Sequence, residues 1–196
     1  RSLDLELTAL HFRVESAIFA EYYYSLKVIH LEKAMKIKLL ITGGTIDKSY
    51  NMHNGELHFV DSHIPAMLSE ARCKANFEID TLMLKDSLQM DDQDRLNILT
   101  NCQQSEQLKI IITHGTDTMV QTARLLDDQL DGKTVVLTGA MIPYVFDKSD
   151  ALFNLGTAFS AVQLLRAGIY IAMNGKVFKA ADVVKNRQEC IFETLI

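Results

Sequence analysis

Two threonines, an aspartate and a lysine are the residues of this chain best suited to nucleophilic chemistry. They are Thr45 in Thr42-Gly43-Gly44-Thr45, Thr116 and Asp117 in "THGTDT" (113–118), and Lys185 in "AADVVKN" (180–186). A threonine hydroxyl is a weak nucleophile at its free pKa, so it needs a proton acceptor and a place for the negative charge that develops on its target. A lysine brought beside Thr116 and Asp117 can carry protons if burial lowers its pKa, and backbone N–H groups at a Gly-Gly turn can hold an oxyanion. Each residue also has a plainer reading. Gly43-Gly44 after an apolar run suits a tight turn or a close backbone approach. Thr116 and Asp117 have the types that cap helices, although Thr118 with Gln121 has the better capping-box spacing. A lone lysine is usually a solvated charge.

Other chemistries fit less well. "TGGTIDK" lacks the spacing of G-x-G-x-x-G and of the Walker loop, so no phosphate cradle is indicated. His53, His58 and His63 recur every five residues, which places them on different faces of a helix or a strand, and no carboxylate or cysteine completes a metal set. They read as surface or loop histidines. The formal charge is −5 with Lys and Arg scattered, which gives no electrostatic reason to expect nucleic acid or an anionic membrane. Cys73, Cys102 and Cys190 are odd in number and far apart, so neither a disulfide framework nor a metal knuckle is expected. No apolar run approaches the roughly 18 residues of a membrane span. A cytoplasmic protein is the simple expectation.

The elements that must position these groups are short aliphatic runs alternating with longer amphipathic stretches. "KIKLLI" (36–41), "FEIDTLML" (77–84), "LKIIIT" (108–113), "TVVLTG" (134–139) and "GIYIAM" (168–173) read as strands buried on both faces. The stretches 64–75, 91–104 and 118–130 read as helices, opened by Pro65, by a cluster of acids, and by the Thr118…Gln121 spacing respectively. Strands separated by helices imply a three-layer, doubly wound α/β fold with a mainly parallel sheet of flavodoxin-like type. Asn174-Gly175 is a hairpin turn signal, so two antiparallel strands are expected to follow the parallel set as a C-terminal β-hairpin. With 48% hydrophobic and 23% charged residues in 196, the chain has the make-up of one globular domain. Residues 1–34 show no clean period before Met35, and an appended extension is expected there, with the domain occupying 35–196.

In such a sheet, ligands bind beyond the carboxyl ends of the strands. Thr45 and Tyr50 follow the first strand, Ser87 the second, Gly115, Thr116 and Asp117 the third, and Gly139 and Ala140 the fourth. The chemically capable residues therefore collect on one edge.

The ordered motifs "TGGTI" (42–46), "HGTDTM" (114–119), "VVLTGAMIP" (135–143) with "DALFNL" (150–155), and "DVVKN" (182–186) resemble the bacterial-type L-asparaginases and related glutaminases and amidotransferase subunits. The resemblance runs from residue 36 to about 194. It implies that Thr45 is the nucleophile, Tyr50 its partner in the loop that follows, and Thr116 and Lys185 the second threonine and the lysine. It also implies a substrate pocket of Ser87 and Asp117, with Gly44, Gly115 and Ala140 lining it. The implied reaction is hydrolysis of the side-chain amide of asparagine or a related small amide, with no cofactor and no metal. A covalent ester at the threonine and attack by directly activated water are both open. Two departures stand out: the sequence stops before the family's second domain, and Asp86-Ser87-Leu88-Gln89 replaces Gly-Ser-Gln-Asp, putting Leu88 where a substrate-binding amide is expected. The expectation is an asparaginase-like amidohydrolase of altered specificity, working as a homodimer or higher oligomer. The alternative is an amide-binding protein with weak activity or none.

Overall fold

A computed structural model describes residues 36–195, and the extension expected at 1–34 lies outside them. Five strands form the parallel body of a six-stranded sheet: β1 (Ile37–Gly43), β4 (Phe77–Lys85), β5 (Lys109–Thr113), β6 (Thr134–Thr138) and β7 (Gly168–Met173). Their order is β4-β1-β5-β6-β7, closed by β8 (Lys176–Lys179), which runs antiparallel to β7. Counting only the parallel strands, this is the 2-1-3-4-5 winding, whose switch point falls between β1 and β5. The five aliphatic runs read from the sequence are these five strands.

Alternate residues of each strand supply the two halves of the core. Leu40, Ile110, Ile112, Val135, Leu137, Ile169 and Ile171 face one side, where α2 (Asp92–Gln104) and α3 (Met119–Gln129) cover them with Ile98, Leu99, Ala123 and Leu126. Leu39, Ile41, Ile111, Val136 and Ala172 face the other, under α1 (Ile64–Glu70) and α4 (Ala151–Leu164) with Ile64, Met67, Leu155, Ala158 and Val162. The three layers follow from that alternation.

Local details depart from the sequence reading. Helix α1 stops at Glu70, not at 75. Arg72 takes φ 50° and the Cys73 N–H closes back on the Leu68 carbonyl at 3.0 Å, a helix-ending turn. Thr118 does not cap α3; its hydroxyl donates to the Ser87 carbonyl at 2.9 Å, and the Gln121 side chain accepts from Arg95 at 3.2 Å. A working capping box sits at α2 instead, between Asp91 and Asp94. The Asn174-Gly175 turn joins β7 to β8, so the last parallel strand is itself half of that hairpin. The C-terminal hairpin is a separate ribbon of β9 (Val183–Asn186) and β10 (Ile191–Thr194). A second ribbon, β2 (Lys48–Tyr50) with β3 (Leu57–Phe59), follows β1 and holds His58 in a strand. Among the described residues, no helix is long and apolar enough to cross a membrane.

Candidate functional site

The carboxyl ends of β1 and β5 are drawn together at the switch point. Thr42 Oγ1 donates to the Thr113 carbonyl at 2.6 Å, and just beyond it the backbone turns through Gly43 (φ 90°) and Gly44 (φ 86°). A Cβ on Gly44 would lie 2.4 Å from Gly115 N, and one on Gly115 would lie 2.6 Å from both Cβ and Oγ of Ser87. Real side chains do not tolerate such distances, so glycine is required at both positions. The Gly-Gly pair thus makes a turn and also permits a close approach of backbones. As a result three loops meet: Thr45 follows Gly44, Thr116 follows Gly115, and Ser87 is buried beneath them.

Thr45 opens a single 3-10 turn, Thr45–Asp47, and is half-buried. Thr116 is buried, and its hydroxyl accepts a hydrogen bond from Lys185 Nζ at 2.8 Å. The same ammonium pairs with Asp117 Oδ1 at 2.8 Å. Lys185 reaches this place from β9, 69 residues beyond Thr116. Arg187 also reaches the Asp117 carbonyl, at 3.5 Å. The sheet edge therefore brings together Thr116, Asp117 and Lys185, with Gly44, Gly115 and Ser87 packed alongside. Tyr50 stands apart, 51% exposed at the end of β2, with its ring edge-on to Phe146 at 6.2 Å. Ala140 is fully buried after β6.

Several residues without an assigned role in the sequence reading hold this edge in place. His114 is fully buried; its Nδ1 lies 2.7 Å from the Gly115 carbonyl and its Nε2 2.8 Å from Thr122 Oγ1. A carbonyl only accepts, so Nδ1 carries the proton and Nε2 accepts from the threonine. Burial pushes the pKa of this histidine down to about 4, which keeps it neutral. His63, by contrast, lies in the loop before α1, with its Nε2 2.9 Å from Ser49 Oγ. Asp150 accepts from the N–H groups of Met141 (3.0 Å) and Ile142 (3.0 Å), fixing the loop that begins with Ala140. Asn154 donates to the Gly139 carbonyl at 3.1 Å. Beside the Thr45 turn, Lys48 pairs with Asp86, and Asp86 also accepts the Leu88 N–H at 3.0 Å. Burial of Asp86 works against its charge, but Lys48 and that N–H outweigh it and hold the carboxyl below its usual range. Leu88 itself is 64% exposed. Asp47 is buried, takes hydrogen bonds from Ser62 Oγ (2.8 Å) and His63 N (2.9 Å), and leaves Oδ2 unpartnered. Burial raises its pKa. These supports are single polar residues whose decisive partners, such as Thr122 for His114 and Lys48 for Asp86, leave no local pattern; the only hints are the "HGTDT" context of His114 and the "DALFNL" context of Asp150 and Asn154.

The arrangement offers a hydroxyl just past the glycine turn, whose Gly44 N–H donates to the Lys85 carbonyl at 2.9 Å and so is not the free oxyanion donor the sequence suggests, and, on the neighbouring strand end, a hydroxyl, a carboxylate and an ammonium bonded to one another. Such an edge can bind a polar carbonyl compound and move protons to and from it.

Known proteins share this arrangement of elements. The family model "Asparaginase, N-terminal" matches residues 36–191. A "Probable L-asparaginase periplasmic" of Haemophilus influenzae is 35% identical over 161 residues, covering 76% of this chain and 46% of that protein. An "L-asparaginase" of Thermococcus kodakarensis is 32% identical over 157 residues, covering 77% and 48%. Among solved structures, the thermostable L-asparaginase from Thermococcus kodakarensis superposes with a TM-score of 0.68 at 28% identity, over 82% of this chain and 51% of that one. The chain spans about half the length of these relatives.

Proposed function

The chain belongs to the bacterial-type L-asparaginase/glutaminase family, matched over its N-terminal catalytic domain, and from that premise we propose that it is an amidohydrolase acting on asparagine or a related small amide. In this reading the Thr45 hydroxyl attacks the amide carbonyl; the Gly44 N–H is already given to the Lys85 carbonyl at 2.9 Å, so the developing oxyanion takes its donors from elsewhere on the edge. Thr116 and Lys185 hand the proton on to the departing ammonia, and water then releases the acid. Tyr50 closes over Thr45, Ser87 and Asp117 hold the substrate's amino-acid end, and Gly44, Gly115 and Ala140 line the pocket. The observation that carries the proposal is the Lys185 ammonium, shared at 2.8 Å between Thr116 and Asp117 on the loop whose glycine packs against Gly44.

The test is ammonia release across a panel of amides. Thr45→Ala is expected to abolish turnover and leave the fold intact. Adding Lys185→Met to it should make the residual rate scarcely worse, because groups that act as a unit lose activity together. Ligand binding without ammonia from any amide would replace the enzyme by an amide-binding protein.

Substrate choice should be shallower than in an enzyme with a full set of polar contacts, because Leu88 offers no amide. Asparagine is expected to exceed succinamate by roughly 10- to 100-fold in kcat/KM, the worth of a charge-assisted contact to Asp117. Equal rates on both, unmoved by Asp117→Asn, would show that the ammonium is not read there.

The exposed side chains of Tyr50, Leu88, Ile142 and Phe146 leave the loops around this edge partly apolar, which suits a symmetric neighbour in a cytoplasmic homodimer or higher oligomer. Fully active monomer in sedimentation at micromolar protein would refute that assembly.

A further inference from the structure

Lys185 rides on the ribbon β9–β10, which among the described residues pairs with no strand of the six-stranded sheet. A two-stranded ribbon is marginal by itself. The place of its ammonium beside Thr116 and Asp117 therefore depends on what fixes the ribbon from outside. Directly across the ladder from Lys185 is Phe192, which is 2% exposed within the core. Its backbone N–H donates to Asn174 Oδ1 at 2.8 Å. Asn174 opens the turn between β7 and β8 at φ 55°, a conformation that asparagine tolerates better than most residues. Its own N–H donates to Asn154 Oδ1 at 3.1 Å. Asn154, fully buried on α4, donates from Nδ2 to the Gly139 carbonyl at 3.1 Å and to Asp150 Oδ2 at 2.8 Å.

We infer that Asn154 and Asn174 are positioning residues: an asparagine relay that sets where the Lys185 ammonium stands against the loop leaving β6. The residue types fit the task. An amide side chain carries donor and acceptor on one tip, and Asn154 uses both, gripping the end of β6 with one and the β7–β8 turn with the other. Asn174 combines the left-handed turn with an acceptor aimed at the strand opposite the lysine. One end of the relay thus lies at Gly139, next to Ala140, and the other at Phe192, across from Lys185. Without the Asn174 acceptor, the Phe192 N–H must find water, and the ribbon shifts outward to let it. The value of the relay to turnover rests on the role proposed above for Lys185; its effect on where the lysine stands does not.

Two variants of the full chain separate these possibilities. Asn174→Gly keeps the turn, since Gly-Gly supports the same hairpin, but removes the acceptor; Asn174→Asp keeps both. The first readout is the acetylation rate of Lys185 by acetic anhydride in the folded protein, measured by mass spectrometry against exposed Lys74. Asn174→Gly is expected to raise the Lys185 to Lys74 ratio by roughly tenfold, the scale of coupling between members of one hydrogen-bond network, and Asn174→Asp to stay within about twofold of the parent. The second readout is ammonia release, where Asn174→Gly should lower kcat roughly tenfold with KM nearly unchanged and Asn174→Asp should restore it. An unchanged labelling ratio in Asn174→Gly, whatever its melting temperature, overturns the relay and leaves Asn174 as a turn former. So does an Asn174→Asp variant that behaves like the glycine one. If the parent releases no ammonia from any amide, the hydrolase reading fails, and the labelling ratio still decides the relay.

Discussion

The ribbon β9–β10 presents Lys185 opposite a phenylalanine buried in the core, whereas the ribbon β2–β3 presents Tyr50 opposite Leu57, and both of those side chains are exposed. The first is pinned along its length, by the Phe192 ring, by the bond from Phe192 N to Asn174, and by Arg124 to the Val183 carbonyl at 3.4 Å. The second is tied at its root, where Asp47 holds Ser62 and His63 and Lys48 pairs with Asp86, while Met52 at its tip is 87% exposed. Segments with little buried apolar surface open at the lowest free energy. If Lys185 and Tyr50 act as proposed above, one edge divides its labour: the group that must already stand in place when substrate arrives is carried by the anchored ribbon, and the one that must swing over the substrate by the loose one.

The contrast between the ribbons is most exposed to Phe192→Ala. Truncating a buried phenylalanine costs about 3–5 kcal/mol, so the urea midpoint should drop sharply and activity with it. Leu57→Ala on the other ribbon should stay within about 0.5 kcal/mol. Equal losses would mean that the two ribbons are not held differently. A smaller effect is expected from Tyr50→Phe, which removes one hydroxyl from an exposed ring: kcat should fall by roughly tenfold, less than the roughly 100- to 10,000-fold typical of a proton-transferring group, with no change in melting temperature. A matching fall in stability would make Tyr50 a packing residue.

The mildest effect near neutrality, and the clearest separation of the two regions, is in pH. His114 sits near pKa 4 in the fold against 6.5 when free. Between those values the unfolded chain binds the extra proton, so this contribution to stability is complete above 6.5 and is lost as pH falls through 6.5 toward about 4. Asp47, at the root of the Tyr50 ribbon, has the opposite sign. Its pKa is raised by burial, so its contribution is complete below the ordinary carboxyl value of 3.8 and is lost as pH rises through the raised one. Hydrogen exchange should therefore show residues 114–118 loosening in mild acid while 47–59 tighten. His114→Asn is expected to flatten the first trend and Asp47→Asn the second; one shared trend for both segments would contradict the assignment.

What is legible in the sequence follows the same division. Four of the five parallel strands are readable because each has a stretch buried on both faces and so appears as an unbroken aliphatic run, as in Ile110-Ile111-Ile112; β4, at the sheet edge, has only partly buried and exposed residues and is read from Leu82-Met83-Leu84. The edge that gathers Thr45, Ser87, Thr116 and Asp117 follows from strand order alone, since each stands just after a strand. The Asn174-Gly175 turn is visible too, because left-handed turns draw on so few residues. Its second task, the bond to Phe192, is not: a contact between positions 18 apart leaves no local pattern. Thr118 shows the converse. Its spacing to Gln121 satisfies the capping rule, yet tertiary partners, the Ser87 carbonyl and Arg95, claim both side chains.

The distance in sequence between Thr116 and Lys185 also bears on how the protein is made. At roughly 5–20 residues per second of synthesis, the chain needs several seconds to advance the 69 positions from one to the other. Over that interval β1 and β5 can pair and the glycine turns can close, while the ammonium is still unmade. The edge then exists with its hydroxyls and without its cation. Only when the strand through Thr194 has emerged can Phe192 enter the core and carry Lys185 into place. If Lys185 has the role proposed above, a nascent chain stays chemically quiet until the β9–β10 ribbon is out, by the order of its own residues.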